Sequence, residues 1–337
     1  QAEDGIRDVE RSRGLGDVYK RQIVTSAFEH HAVLNTCKDL EEKGLAEVTY
    51  VKPDSKGIIS VKSVREAIKE NTVLISIMYV NNEIGTVQPI QVLSKEIELE
   101  NKKRMKYNKN LKSEILNLKS EIVFHTDAVQ AIEYQNCNVK KLGVDMLSLS
   151  AHKFGGPKGV GALYVKKGVK LHHQNIGGAQ ENHLRAGTYN TPGIVGMGKA
   201  IQLLNTKSEI RNTKVKTLRD YFINRILKEI PDTFLNGDKI KRNPNNVNIS
   251  FKYIEGEAIL LHLDAAGIAA SSGSACTSGS LEPSHVLLSI GLKHEDAHGS
   301  IRFTLGGMTT KKEIDYTIEV LKKTVKKLRS MSPYGKD

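Results

Sequence analysis

Tryptophan is missing from this 337-residue chain, and aromatic residues make up only 5% of it. Proteins that hold single-stranded nucleic acid stack successive bases on aromatic side chains, so the material for such a platform is lacking. No apolar run comes near the roughly 20 residues that cross a bilayer as a helix, and no membrane association is expected. Cysteine is scarce as well: Cys37, Cys137 and Cys276 form no CxxC pair and no ligand cluster with histidine. That spacing excludes a disulfide framework and a resident metal site, and it fits a reducing compartment.

What the chain has in surplus is positive charge, a formal +12. Much of it sits in "NKKRMKYNKNLK" at 101–112 and "LKKTVKKLR" at 321–329. The first reads as part of a polar insertion near 95–120, a lengthened surface helix or loop; the second reads as the outer face of a terminal helix. Both are expected to be solvated faces, with no direct nucleic-acid partner.

Residues 1–22 carry dense mixed charge without hydrophobic period. They lack the apolar core of a signal peptide, and their acidic residues do not suit a transit peptide. They are expected to be a non-native or disordered leader. From Ile23 the pattern becomes regular. "IVTSAF", "AEVTYV", "TVLISIMYV", "EIVFHTDAVQ", "VDMLSLSAHK" and "GVGALYV" read as strands, and amphipathic helices such as "HAVLNTCKDLEEK" run between them. Continuous apolar strands alternating with helices predict a mainly parallel sheet covered on both faces. "TPGIVGMGKAIQLL" predicts a helix with Thr191 as N-cap and Pro192 in the first position. After Pro231 the signals change, and residues 231–337 are expected to form a smaller α+β domain behind a large domain of 23–230. Thr310 and Glu313 form a capping box for its last helix.

"SSGSACTSGS", residues 271–280, sets Cys276 among residues that favour loops and cannot pack a core. A buried structural thiol has apolar neighbours, so Cys276 is expected to react. "LSLSAHKFGGPKGVGALYV" brings Lys153 out just after an apolar strand, beside Gly155, Gly156, Gly159 and Gly161. A lysine amine at a strand end is a candidate for linkage to pyridoxal phosphate, although a plain turn lysine has the same look. Asp127, at the end of "FHTD", could pair with the ring nitrogen of that cofactor or simply cap a helix. Gln130 stands one turn further on. His30 follows the first strand and Asn81–Asn82 the third, so four strand ends bear polar groups of this kind.

With these motifs in hand the chain is seen to resemble the cysteine desulfurases of the IscS/NifS group, which are fold-type I pyridoxal-phosphate enzymes of the class V aminotransferase superfamily. "SSGSACTS" with "LEPSHVL", "NNEIG", "HTDAVQA", "SAHKFGGPKGVGALYV" and "IRFTLG" carry the resemblance from about Ile23 to Pro333. It implies that L-cysteine is converted to L-alanine and that its sulfur passes to Cys276 as a persulfide. Lys153 would bind the cofactor covalently and transfer a proton. Asp127 would pair with the ring nitrogen, Gln130 with the phenolic oxygen, and His30 would stack on the ring. Ser150 and His152 would hold the phosphate together with Thr188 of a second subunit, which implies a homodimer. Asn82 and Arg302 would hold the substrate.

The resemblance also implies sulfur acceptors, an iron–sulfur scaffold protein and tRNA thiolation among them, with Cys276 as a transient ligand to a cluster on a partner. It places the protein in the mitochondrial matrix if eukaryotic and in the cytoplasm otherwise. By the same resemblance, a preceding segment with a phosphate-gripping loop and a C-terminal tail are expected in relatives beyond the stretch that matches here. Gly307–Met308 and "AQENHL" depart from their pattern. The competing expectations are a selenocysteine lyase-like enzyme and a catalytically silent dimer partner or scaffold.

Overall fold

The computed structural model of the chain describes residues 21–110, 121–205, 208–272 and 282–332. Its larger sheet takes the order β2-β1-β3-β4-β5-β6, with β1 at Arg21–Ser26, β2 at Ala46–Val51, β3 at Thr72–Ser76, β4 at Val123–Asp127, β5 at Met146–Ser150 and β6 at Gly161–Val165. The first five strands are parallel, and β6 returns antiparallel to β5. Three helices fill the crossovers: α1 (His31–Glu42), α2 (Val61–Ala67) and α3 (Ile90–Asn110). The inner strand β1 is buried on both faces from Gln22 to Ser26, as a covered parallel strand requires, whereas β6 at the edge is largely exposed. Val24, Ile75, Phe124 and Leu147 lie in one core with Leu93 and Ile97 of α3.

A short helix α4 (Val139–Leu142) precedes β5. After β6 come α5 (Thr191–Asn205) and α6 (Ser208–Glu229). The second sheet, β7-β8-β10-β9, is antiparallel. Its strands are β7 (Thr233–Leu235), β8 (Asn246–Phe251), β9 (Ser271–Ser272) and β10 (Ser300–Thr304). Helix α7 (Gly256–Ala265) and the terminal helix α10 (Lys311–Met331) cover it. Between β9 and β10 lie two short helices, α8 (His285–Ser289) and α9 (His294–His298). The capping box of Thr310 and Glu313 is present at the start of α10.

Several expectations are corrected. Strand β1 starts at Arg21, inside the stretch read as a leader. The Gln22 side chain is fully buried and donates to Thr49 Oγ1 and to the Ala67 carbonyl. The division at 230/231 does not follow the cores: Val215, Phe222, Ile223 and Ile226 of α6 pack into the small-domain core, whereas Val286 and Leu287 of α8 pack into the large one. Asn190 rather than Thr191 caps α5, since its Oδ1 accepts from the Gly193 amide at 3.1 Å. Nor is the basic stretch at 101–112 wholly solvated. Arg104 is 2% exposed and donates to the carbonyls of Thr72 and Lys69, so its charge closes a strand start instead of facing water.

Candidate active site

In parallel α/β sheets the carboxyl ends of the strands open toward one crevice. Here that edge gathers the turn after β1 with His30, the loop after β3 with Asn81 and Asn82, the end of β4 with Asp127, and the end of β5 with Ser150. A 3-10 turn, Ala151–Phe154, follows β5 and carries His152 and Lys153; it closes at Gly155 in the left-handed region with φ 80°. The left-handed exit suits glycine and turns the chain back into β6.

Asp127 is half-buried, and one carboxylate oxygen accepts from the Val129 amide at 2.8 Å. Burial raises its pKa, while that amide, His30 and Lys153 pull it down. His30 is held the other way, with burial keeping its pKa below the ordinary imidazole value even though Asp127 favours the cation. Its Nδ1 accepts from the Ala32 amide at 3.1 Å and caps α1. An acceptor Nδ1 places the proton of the neutral ring on Nε2. Lys153 is exposed, and its charge acts on both His30 and Asp127. These three residues, chosen from separate motifs, therefore share one electrostatic environment.

Ser150 Oγ and His152 Nδ1 are hydrogen-bonded at 2.8 Å, side by side at the strand end. Gln130 is half-buried one turn after Asp127. The two residues expected to hold substrate are joined: Arg302 Nη1 donates to the Asn82 carbonyl at 2.8 Å, and Nη2 donates to Ser271 Oγ at 3.3 Å. The Asn82 side-chain Oδ1 is buried and lacks a hydrogen-bond partner among the described residues. A buried acceptor without a donor points to a group from outside the chain. Thr188 is not brought to this cluster but lies exposed between β6 and α5. In the departing stretch just before it, Glu181, Asn182 and His183 all take positive φ. Cys276 lies outside the described residues.

The donor set fits pyridoxal phosphate. A carboxylate is available for the ring nitrogen, an exposed amine for the aldehyde and a neutral flat imidazole for the ring face. The Ser150–His152 pair and the orphan Asn82 Oδ1 remain free for further polar contacts.

Sequence reasoning passed over four polar groups at this edge. Glu29, the neighbour of His30, is fully buried, accepts from Ser26 Oγ and the Met78 amide, and has its pKa pushed up to about 8 by burial. Glu83 is buried in "NNEIG" and accepts from Ser284 Oγ. His285 Nε2 donates to the Glu29 carbonyl at 3.0 Å, and its ring lies 4.6 Å from that of His31. His125 bridges β3, β4 and β5 through Ser76 Oγ and Ser148 Oγ, both at 2.8 Å. A glutamate inside an apolar stretch beside a motif histidine was the available signal.

The family model "Aminotransferase class-V" matches residues 14–103 and 109–317. The chain is 50% identical over 317 residues to "Cysteine desulfurase IscS" of Dictyoglomus turgidum, covering 94% of this chain and 75% of that relative. It is also 50% identical over 329 residues to the protein of the same name from Methanosarcina thermophila, covering 98% of this chain and 74% of that one. Among solved structures it is similar to a "NifS-like protein", with a TM-score of 0.79 at 33% identity and coverage of 92% and 76% of the two chains. It is likewise similar to "SspA in complex with cysteine", with a TM-score of 0.69 at 34% identity and coverage of 86% and 75%.

Proposed function

The chain belongs to the class-V aminotransferase family, in its cysteine desulfurase group, and from that premise we propose that it removes sulfur from L-cysteine by way of Cys276 and leaves L-alanine. The observation that carries the reading is the shared environment of Lys153, Asp127 and His30 beside the joined Asn82–Arg302 pair.

The cofactor is pyridoxal phosphate, which when bound supplies an aldehyde that captures the amino group and a ring that accepts electrons from the substrate. Lys153 would hold it covalently, Asp127 its ring nitrogen, Gln130 its phenolic oxygen, and Ser150 with His152 its phosphate. The raised pKa of Asp127 sets it to share a proton with a basic ring nitrogen, because a buried carboxylate gains most from a cationic partner. His30, neutral with its proton on Nε2, offers a flat face and a proton donor. Arg302 would grip the substrate carboxylate through charge-assisted hydrogen bonds, and the orphan Asn82 Oδ1 would accept from the bound substrate or cofactor. Lys153 would move the proton at the substrate α-carbon. The Cys276 thiolate would form an S–S bond to the substrate sulfur as the carbon–sulfur bond breaks. The electron pair stays on the three-carbon fragment, which takes a proton and leaves as alanine.

We further propose a homodimer. Leu163 and Tyr164 of β6 are exposed, as are Ile194 and Val195 of α5, with Val195 at 65%. Exposed large apolar side chains on neighbouring segments suit a second copy, and Thr188 between β6 and α5 would then reach the partner's phosphate site. We also propose that the Cys276 sulfur passes to an iron–sulfur scaffold and to tRNA-thiolating acceptors; the name IscS of the relatives is consistent with iron–sulfur assembly. No described helix is long and apolar enough to cross a membrane. The relatives named above are bacterial and archaeal, so the mitochondrial placement gains no support and we propose the cytoplasm.

The test is Cys276→Ala in the reconstituted protein. Cofactor absorbance and its change on adding L-cysteine should persist while sulfide release stops; continued sulfide release would overturn the role of Cys276.

A further inference from the structure

The loop after β3 does more than present Asn82. Asn81 Oδ1 accepts from the amides of Glu83 and Ile84 at 2.9 and 3.0 Å, and its Nδ2 donates to the Phe28 carbonyl. This turn folds the Glu83 side chain inward, where it is 5% exposed. The Glu83 carbonyl accepts from Asn246 and Asn248 of β8 at 2.9 and 3.0 Å. Gly85 packs so tightly that a Cβ there would lie 2.5 Å from the Asn246 side chain. The two sheets thus meet at this loop.

Ser284, the cap of α8, donates to the Glu83 carboxyl, and the charge of Arg302 from β10 acts on it. Asn246 and Asn248 of β8 hold the Glu83 backbone, and His285 beside Ser284 donates to the Glu29 carbonyl. On the far side of Asn246, Arg242 donates to its Oδ1 at 2.8 Å. Burial keeps His285 below its ordinary pKa and Glu29 above its own, so both favour their neutral forms. Arg302 carries the charge that acts on Glu83. Ser284 is itself 4% exposed, caps α8 by accepting from the Leu287 amide, and donates to the Glu83 carboxylate. Arg302 donates to Ser271 on β9 and to the Asn82 carbonyl, next in the chain to Glu83.

We propose that Glu83 is a positioning residue for substrate capture, which holds Ser284 in place under the charge of Arg302 and takes up a proton when a substrate carboxylate occupies Arg302. The inference rests on the desulfurase reading for the identity of that substrate. One guanidinium then faces two carboxyl groups in a buried setting, and like charges brought together favour protonation of one of them. Burial already brings Glu83 to a pKa of about 7, against the pull of Ser284 and Arg302. Linkage fixes the sign: if binding favours proton uptake, affinity for the carboxylate falls as pH rises through that value, because ionised Glu83 then competes for Arg302.

The experiment compares KM and kcat for L-cysteine in the reconstituted wild type, Glu83→Gln and Ser284→Ala, at intervals from about pH 6 to about pH 8.5. The ionisation of cysteine itself cancels in the comparison between proteins. Across that range the wild-type KM should rise about tenfold more than that of Glu83→Gln, with kcat moving alike in both. Ser284→Ala removes a hydrogen bond to the charged form, so its break should shift to higher pH. A constant ratio between wild type and Glu83→Gln at every pH, or an unmoved break in Ser284→Ala, would overturn the proposal.

Infrared difference spectra supply a readout that needs no turnover. In the difference between wild type and Glu83→Gln, where the band of buried Glu29 common to both cancels, a protonated-carboxyl component should be present at the acid end and fade toward the alkaline end. Wild-type and Glu83→Gln bands that match at every pH would overturn the proposal. If the wild type forms no alanine, the desulfurase reading falls, and this band alone decides whether Glu83 titrates as described.

Discussion

At single residues, burial decides which protonation states the site can use. His30 is kept neutral, Asp127 is made readier to share a proton, and Glu29 is held as a neutral acid across most of the physiological range. Lys153, by contrast, is exposed and accessible to a cofactor aldehyde. Lys153→Ala should therefore abolish the absorbance of the lysine-bound cofactor on adding pyridoxal phosphate; an unchanged spectrum would remove Lys153 from its role. His125 gives a prediction about stability. Burial lowers its pKa to about 4, so between that value and the ordinary 6.5 the unfolded chain binds the extra proton. Stability is then fully present above the unfolded value and falls as pH drops toward 4, by roughly 3 kcal/mol. Denaturant unfolding of wild type and His125→Gln at both ends of this window checks it, and the variant should show the smaller loss.

At the scale of elements, local chemistry places most of the boundaries. Thr310 accepts from the Glu313 amide while the Glu313 carboxylate accepts from the Thr310 amide. Removing the cap by Thr310→Ala should cost about 1 kcal/mol in denaturant unfolding, without changing cofactor binding. This box was legible because both partners lie within four residues, and so were the five parallel strands, whose apolar runs are local. The assignment of α6 to the small domain and of α8 to the large core was not legible. Both depend on which distant surface covers an apolar face, and periodicity does not name that surface. The site divides in the same way. Lys153, Asp127 and His30 stand at strand ends that the pattern marks, whereas Glu83 acts on Ser284, 201 positions away. A glutamate in a turn reads as solvated until the fold buries it.

For the whole molecule, two sheets meet where the Asn81–Gly85 turn packs on β8, and the site lies at that meeting. The arrangement explains why Arg302, proposed to hold the substrate, comes from one sheet and the proposed cofactor-holding residues from the other. Exposed apolar residues of β6 and α5 should be covered in solution by a second copy. Sedimentation of the purified chain should give a dimer that Val195→Glu weakens; a wild-type monomer at micromolar concentration would remove the assignment of Thr188 to a partner's site.

The central claim is that this chain turns L-cysteine into L-alanine, and one measurement meets it directly. The purified protein is reconstituted with pyridoxal phosphate and given L-cysteine, and absorbance and alanine are followed together. The account predicts a lysine-bound cofactor spectrum that changes on adding cysteine, with alanine accumulating over many turnovers when a thiol reductant clears the sulfur. A bound cofactor whose spectrum responds to cysteine without any alanine being formed would contradict it.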